Sequence, residues 1–183
     1  MNNKESRKIN LYGASGHAKV ILDIISTVKD VEVAYIFDDD DSIDQLLGQK
    51  VFSPSVHLDK LNQHPLIISI GSNPVREQLV SQLEASLFSK AIIHSSAQVS
   101  KVKELKEGSV VMPLAVINAS TVIGRHSIIN TAAVVEHDCE LGDFVHISPN
   151  ATICGEVQIG KGTQIGAGAV VIPNVSIGEN CII

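Results

Sequence analysis

The stretch AAVVEHDCELGDFVHIS, residues 132–148, holds two histidines nine positions apart among acidic residues. Glu136 and Asp138 flank His137. A carboxylate bonded to one imidazole nitrogen fixes the tautomer and raises the basicity of the other, which suits a general base. A solvated surface histidine is the plainer alternative, and the residues alone leave both open. His146 lacks flanking acids, and His126, His57, His64 and His94 are read as ordinary histidines.

Three further stretches could bind a ligand. YGASGHAK joins a strand to a helix, where backbone N–H groups and the helix dipole attract an anion. It is no dinucleotide fingerprint, because only Gly13 of the three glycine positions is present and Ser15 and Ala18 fill the others. A tight turn with no ligand fits it equally. Asp38 and Asp39 end the second strand, where a ribose or base edge would be met, or where an acidic loop is merely solvated. Gly71, Ser72 and Asn73 follow the third strand, so all three loops converge on one sheet edge.

Two kinds of element must position these residues. From Leu105 to Ile183 every sixth residue is Leu, Ile or Val, and the residue four places after each of the first thirteen is small or modest, as in Ala115, Thr121 and Cys139. Gly124, Gly142, Gly160 and Gly178 add a period of eighteen. Three six-residue faces therefore make one turn of a triangular prism, a parallel β-helix whose stacked coils share an aliphatic column. Gly, Asn and Asp near the corners are expected to take the positive φ of tight turns. In this register His137 and His146 both point outward, at or near exposed corners, while Cys139 points inward. The first 95 residues alternate strands (KINLYG, VEVAYIF, PLIISIG) with helices (GHAKVILDIISTV and SNPVREQLVSQLEAS, the latter opened by an Asn cap with Pro74 in its first turn). That pattern predicts a small α/β domain with a parallel sheet over residues 1–95, followed by the all-β prism over 96–183.

Composition excludes several classes. A net charge of −6 without a basic cluster argues against nucleic acid. No apolar run approaches the roughly 20 residues of a membrane span, so no membrane insertion is expected. The polar start MNNKESRKIN does not read as a signal peptide, which predicts a cytoplasmic protein. Three cysteines without a C-x-x-C pair suggest neither a disulfide framework nor a thiolate zinc site. A carbonic anhydrase-like zinc site would need His126, His137 and His146 together, and their spacings of eleven and nine put them on different faces, so no metal is expected.

LYGASGHAKVILDII, FDDD, IISIGSN and the repeat from INTAAVVEHDCELGDFVHISPN onward together resemble the bacterial sugar acyltransferases of the sialic acid O-acetyltransferase family. The family includes enzymes that N-acetylate UDP-linked 4-amino-4,6-dideoxy sugars. The resemblance implies a left-handed β-helix, a homotrimer with active sites between prisms, acetyl-CoA as acyl donor and a nucleotide sugar held by the N-terminal domain. It implies His137 as catalytic base and Asp138 as the acid supporting it. His146 would contact acetyl-CoA, Gly155 would offer a backbone N–H to the thioester carbonyl, and Ala167 would meet the cofactor. Ser15, Gly16 and His17 match the sugar-nucleotide loop, with Asp38, Asp39 and Gly71 beside it. Transfer would be direct, without a covalent enzyme intermediate. Members usually continue one coil and a tail past the position of Ile183, so a shortened chain is the simpler reading of that end. Sugar O-acetylation and a non-catalytic nucleotide-sugar-binding trimer are the alternatives.

Overall fold

The computed structural model describes residues 6–183. The first residues of the polar start, read above for a leader, lie outside that range. β1 (Arg7–Tyr12), α1 (Gly16–Ser26) and β2 (Val31–Phe37) open the chain. β3 (Gln45–Leu46), β4 (Gln49–Phe52), the short α2 (Leu58–Leu61), β5 (Leu66–Ile68) and α3 (Asn73–Gln82) follow. The sheet order is β3-β4-β2-β1-β5, parallel except for the β3–β4 pair. The β3–β4 hairpin was not foreseen. Its turn uses Leu47 (φ 48°) and Gly48 (φ 79°), and leucine is not a residue that announces a positive-φ turn. α3 also departs from expectation. Ser72 is the N-cap and Asn73 lies inside the helix, its side chain turned away to donate to the Gly162 carbonyl at 3.0 Å.

From Ile92 onward fifteen two-residue strands stack in three five-stranded parallel sheets. We call these face A (β6, β9, β12, β15 and β18), face B (β7, β10, β13, β16 and β19) and face C (β8, β11, β14, β17 and β20). They begin at Ile92, Gln98 and Glu104 respectively and recur every eighteen residues. They form the parallel β-helix expected of the hexapeptide pattern, with the left-handed coil that the family resemblance implied. The aliphatic column is as read: Ile117, Ile123, Ile129, Val135, Ile147, Ile153 and Ile165 are all 0% exposed. Each such side chain contributes about 1.5–3 kcal/mol relative to exposure. The small residues beside the column also satisfy corner carbonyls, as Ser109 does for Gly124 (2.8 Å) and Thr163 for Gly178 (2.7 Å).

Gly108, Gly162, Gly168, Asp138 and Asn150 take the positive φ expected at corners, but they are not alone. Positive φ recurs at every sixth residue from Gly108 to Asn180, and its holders include Leu114, His126, Ala132, Phe144 and Glu156 as well as Asn and Asp. A strained corner can be held because its N–H bonds to the coil before it, as Phe144 N–H does to the Arg125 carbonyl at 2.8 Å. The glycines of period eighteen are not at positive φ at all. They are needed for space. A Cβ on Gly124 would sit 2.3 Å from the Gly142 carbonyl carbon, and one on Gly142 would sit 2.7 Å from the Lys161 nitrogen. Gly124→Ala is therefore expected to force two coils apart and cost about 1–3 kcal/mol. A lowered midpoint in thermal unfolding would show it, and an unchanged midpoint would mean that the coils part freely.

Face A is covered by the N-terminal sheet and α1. Ile9, Leu11, Ile21 and Ile24 share one core with Ile92, Val110 and Ile128, whose side chains point outward from the prism. Face B carries Val116, Val134 and Val170 outward, and Val170 and Ile172 are each 66% exposed. Face C presents Glu104, Glu140, Gln158 and Ser176. One prism face is thus buried under the N-terminal half, one is apolar and open, and one is polar.

Candidate active site

His137 stands in the turn between β13 (Val134–Val135) and β14 (Glu140–Leu141), at the corner where face B meets face C. Its Nδ1 lies 2.8 Å from Asp138 Oδ2. The positive φ of Asp138 (59°) belongs to the corner, and there the carboxylate meets the ring of its own neighbour. With Nδ1–H donated to Asp138, Nε2 keeps its lone pair. The Asp138 hydrogen bond raises the His137 pKa above the ordinary histidine value, and the charges of Asp138, Glu136 and Glu156 add to it. Glu136 is itself held by Asn118, one coil earlier, whose Nδ2 donates at 2.8 Å.

Gly155, one coil later, lies against the imidazole: a Cβ there would meet His137 Cε1 at 2.7 Å and Nε2 at 2.8 Å. His137, Asp138 and Gly155 therefore form one constellation. Cys139 is fully buried, its thiol donates to the Cys154 carbonyl at 3.1 Å, and burial pushes its pKa up, so it is no nucleophile.

His146 does not sit at an exposed corner. It lies in β15 (His146–Ile147) on face A and is 8% exposed, because the loop after β5 covers it. Asn130 Oδ1 accepts from Thr131 N–H at 2.8 Å, which fixes the amide so that its Nδ2 donates to His146 Nε2 at 2.9 Å. His146 is thus the Nδ1–H tautomer. Burial, with the charges of Arg76 and His17, lowers its pKa to about 4. His17, from the first turn of α1, joins it: its pKa is likewise lowered to about 4 by burial and Arg76, and its ring lies 3.8 Å from where a Gly71 Cβ would be. His17, Gly71 and His146 form a second cluster, in which His146 is buried and His17 and Gly71 are half-buried. Within one chain it is not joined to His137, which lies across face B. Ala167 is exposed in the turn between face A and face B, on the same margin of face B as Asn130 and Ser148.

The three sheet-edge loops do interlock. Gly13 (φ 113°) packs so closely that a Cβ would strike Ile70 Cγ1 at 2.5 Å, and Ser69 Oγ donates to the Gly13 carbonyl at 2.6 Å. Asp38 Oδ2 accepts the Ala14 N–H at 2.7 Å, so this loop amide is already occupied by a carboxylate. Only the Ser15–Gly16 end of the loop, which is exposed, faces an approaching anion. Tyr12 Oη donates to Asp39 Oδ1 at 2.8 Å, and burial together with Asp39 drives the phenol pKa well above its ordinary value. The sequence reading missed Arg76, Asn118 and Asn130. The eighteen-residue offset of Asn118 from Glu136 was an available signal; nothing local marks the other two. No group of three or more His, Cys, Asp or Glu side chains suited to a metal ion occurs among the described residues. His126 is 1% exposed between Phe88 and Phe144, so it belongs to the packing.

Comparison with known proteins places this geometry. The PglD N-terminal domain family matches residues 8–83, and the bacterial transferase hexapeptide family matches 120–155 and 156–183. The structure of a mutant of perosamine N-acetyltransferase from Caulobacter crescentus, in complex with CoA and GDP-perosamine, superposes with a TM-score of 0.87. It is 36% identical over 96% of this chain and 84% of that one. The acetyltransferase domain of PglB from Neisseria gonorrhoeae, in complex with acetyl coenzyme A, gives 0.85 at 34% identity over 97% and 87%. WeeI from Acinetobacter baumannii gives 0.63 at 26% identity over 97% and 92%. An uncharacterized protein of Acanthamoeba polyphaga mimivirus is 31% identical over 136 residues, which are 74% of this chain but only 24% of the viral protein. No helix among the described residues is long and apolar enough to cross a membrane. The chain belongs to the family of hexapeptide-repeat sugar acetyltransferases with a PglD-type N-terminal domain.

Proposed function

We propose that the chain transfers the acetyl group of acetyl-CoA to the amine of a nucleotide-linked amino sugar. The observation that carries this is the His137–Asp138 pair lying against Gly155, with Nε2 of His137 unengaged. Nε2 takes the proton of the sugar amine as the nitrogen attacks the thioester carbon. The backbone N–H near Gly155 steadies the oxyanion, and the carbonyl re-forms as the coenzyme A thiolate leaves. Glu136, Asp138, Glu140 and Glu156 surround the corner. That acidic setting draws the ammonium form of an amino sugar to the corner, where it gives one proton to solvent before the neutral amine attacks, and so supports an amino sugar over a hydroxyl acceptor. The solved relatives named above as perosamine N-acetyltransferase and the PglB domain carry GDP-perosamine with CoA, and acetyl coenzyme A, respectively, which supports both co-substrates.

The nucleotide sugar is assigned to the edge formed by Ser15, Gly16, His17, Asp38, Asp39 and Gly71. A UDP-linked 4-amino-4,6-dideoxy sugar is the preferred substrate, tested against the GDP-linked kind that the perosamine enzyme carries. Coenzyme A release should be measured with a panel of UDP and GDP amino sugars and with sialic acids. Faster release with sialic acid would replace this reading with O-acetylation, and absence of acetyl-CoA binding would replace it with a non-catalytic binding protein. Asp39→Ala is expected to raise KM for the nucleotide sugar about tenfold, the loss of one hydrogen bond to a charged group, and leave acetyl-CoA affinity unchanged.

A homotrimer packed through face B completes the site. Val116, Val134, Val170 and Ile172 give that face its apolar surface, with the His137 corner along one edge and the Asn130, Ser148 and Ala167 corner along the other. Three such faces around one axis bring His137 of one subunit beside the margin near His146 and Ala167 of the next. Val134→Asp is expected to shift the mass in solution to that of a single chain and abolish turnover together. A monomeric variant with full activity would separate catalysis from assembly.

A further inference from the structure

Arg76, on the first turns of α3, is 1% exposed. Its guanidinium donates only to uncharged oxygens. Nε donates to the His126 carbonyl at 2.8 Å, and Nη2 to the Phe144 carbonyl at 3.1 Å and to Asn73 Oδ1 at 2.7 Å. Nη1 donates to the carbonyls of Ile70 and Gly71 at 3.0 and 3.1 Å. All five N–H groups are spent. Burying a cation without a counter-ion costs several kcal/mol, which only a full set of aligned carbonyl dipoles can offset. Burial alone brings the Arg76 pKa down to about 10.

The geometry of the fork is specific. One side grips the turn at Ile70 and Gly71. The other grips His126 and Phe144, stacked corner residues one coil apart, both at positive φ. Asn73 extends the grip to the Gly162 carbonyl of the next coil at 3.0 Å. Arg76 and Asn73 therefore read three successive coils of one corner column and tie them to the loop that covers His146. That loop also stands against His17 and Gly13.

We propose that Arg76 is a positioning residue of the transferase: its guanidinium fork sets the 70–71 turn, and with it the substrate edge of the N-terminal half, at a fixed distance from the prism that carries the acyl-transfer site. This rests on the reading of Ser15, His17, Asp38, Asp39 and Gly71 as the nucleotide-sugar side. A planar five-donor fork reaches both sides at once, whereas an ammonium on a flexible stem supplies the charge without spanning them.

Arg76→Lys tests this. Amide hydrogen exchange across residues 69–73 is expected to speed up about tenfold, with exchange in β9 (Val110–Val111) and β12 (Ile128–Ile129) unchanged. KM for the nucleotide sugar is expected to rise by about 10²-fold, with acetyl-CoA affinity much less affected, because a loop displaced by an ångström misplaces the acceptor. Unchanged exchange at 69–73 together with an unchanged KM would overturn the proposal. So would faster exchange spread evenly over the whole N-terminal half with KM unchanged, since that is the mark of a purely structural contact. If Arg76→Lys does not fold, Asn73→Ala removes one acceptor of the fork and the reach to Gly162, and the same two readouts apply. If the unaltered protein turns over no nucleotide amino sugar, the substrate assignment fails, and exchange at 69–73 alone still decides the role of Arg76.

Discussion

Replacing His137 with alanine is expected to lower kcat by about 10²–10⁴-fold, the usual contribution of a positioned general base, while acetyl-CoA affinity stays close to that of the unaltered protein. The expectation follows from the placement of the ring. His137 is exposed at a corner, its Nδ1 bonded to Asp138 and its Nε2 without a hydrogen-bond partner, and its removal takes nothing from the aliphatic column. Stability should therefore be unchanged, and loss of activity cannot be assigned to unfolding. Wild-type turnover in His137→Ala would move the site elsewhere. pH gives a second handle. The base works only when neutral, and the Asp138 hydrogen bond holds its pKa above the ordinary value, so activity should rise as pH passes upward through that raised pKa. Asp138→Asn removes the carboxylate, lowers the histidine pKa and should carry the acid limb of the pH profile to lower pH, with a fall in rate smaller than that of His137→Ala. An acid limb that stays in place would mean that Asp138 does not set the basicity of His137.

The prism was legible in the sequence because its interior column repeats every six residues without an insertion, and a repeat fixes each side chain as inward or outward. That register alone put His137 outside and Cys139 inside, as found. It failed at His146 for an instructive reason. Register says that His146 points outward, but what lies outside face A is decided by residues some seventy positions earlier, in the loop at Gly71, and no local pattern reports that cover. Arg76 was illegible for the same reason: an arginine in a helix next to Glu77 reads as solvated, and only the packed domains show that its partners are carbonyls of distant coils. The period-eighteen glycines were seen but given the wrong cause. The sequence period carries stacking, and the structure shows that what stacking demands at those positions is the absence of a Cβ rather than a left-handed backbone.

The same distinction makes Gly155→Ala the second large effect. Gly155 is not at positive φ, so alanine suits its backbone, and the cost comes from the neighbour that the new Cβ would meet. That neighbour is the imidazole of His137, at 2.7–3.3 Å for three ring atoms. The ring is at an exposed corner and can swing aside, so the fold should survive with little loss of stability, unlike Gly124→Ala, where the obstacle is backbone. Swinging aside, however, breaks the 2.8 Å bond to Asp138 or moves Nε2 away from where it would take the amine proton. A displacement of about an ångström in a catalytic group costs about 10²-fold in rate, and kcat of Gly155→Ala is expected to fall by that amount with thermal stability near normal. The double variant Gly155→Ala with His137→Ala should then be no slower than His137→Ala alone, because the glycine acts through the ring it leaves room for. An additive loss in the double variant would show instead that Gly155 contributes on its own account, through the N–H assigned to the oxyanion.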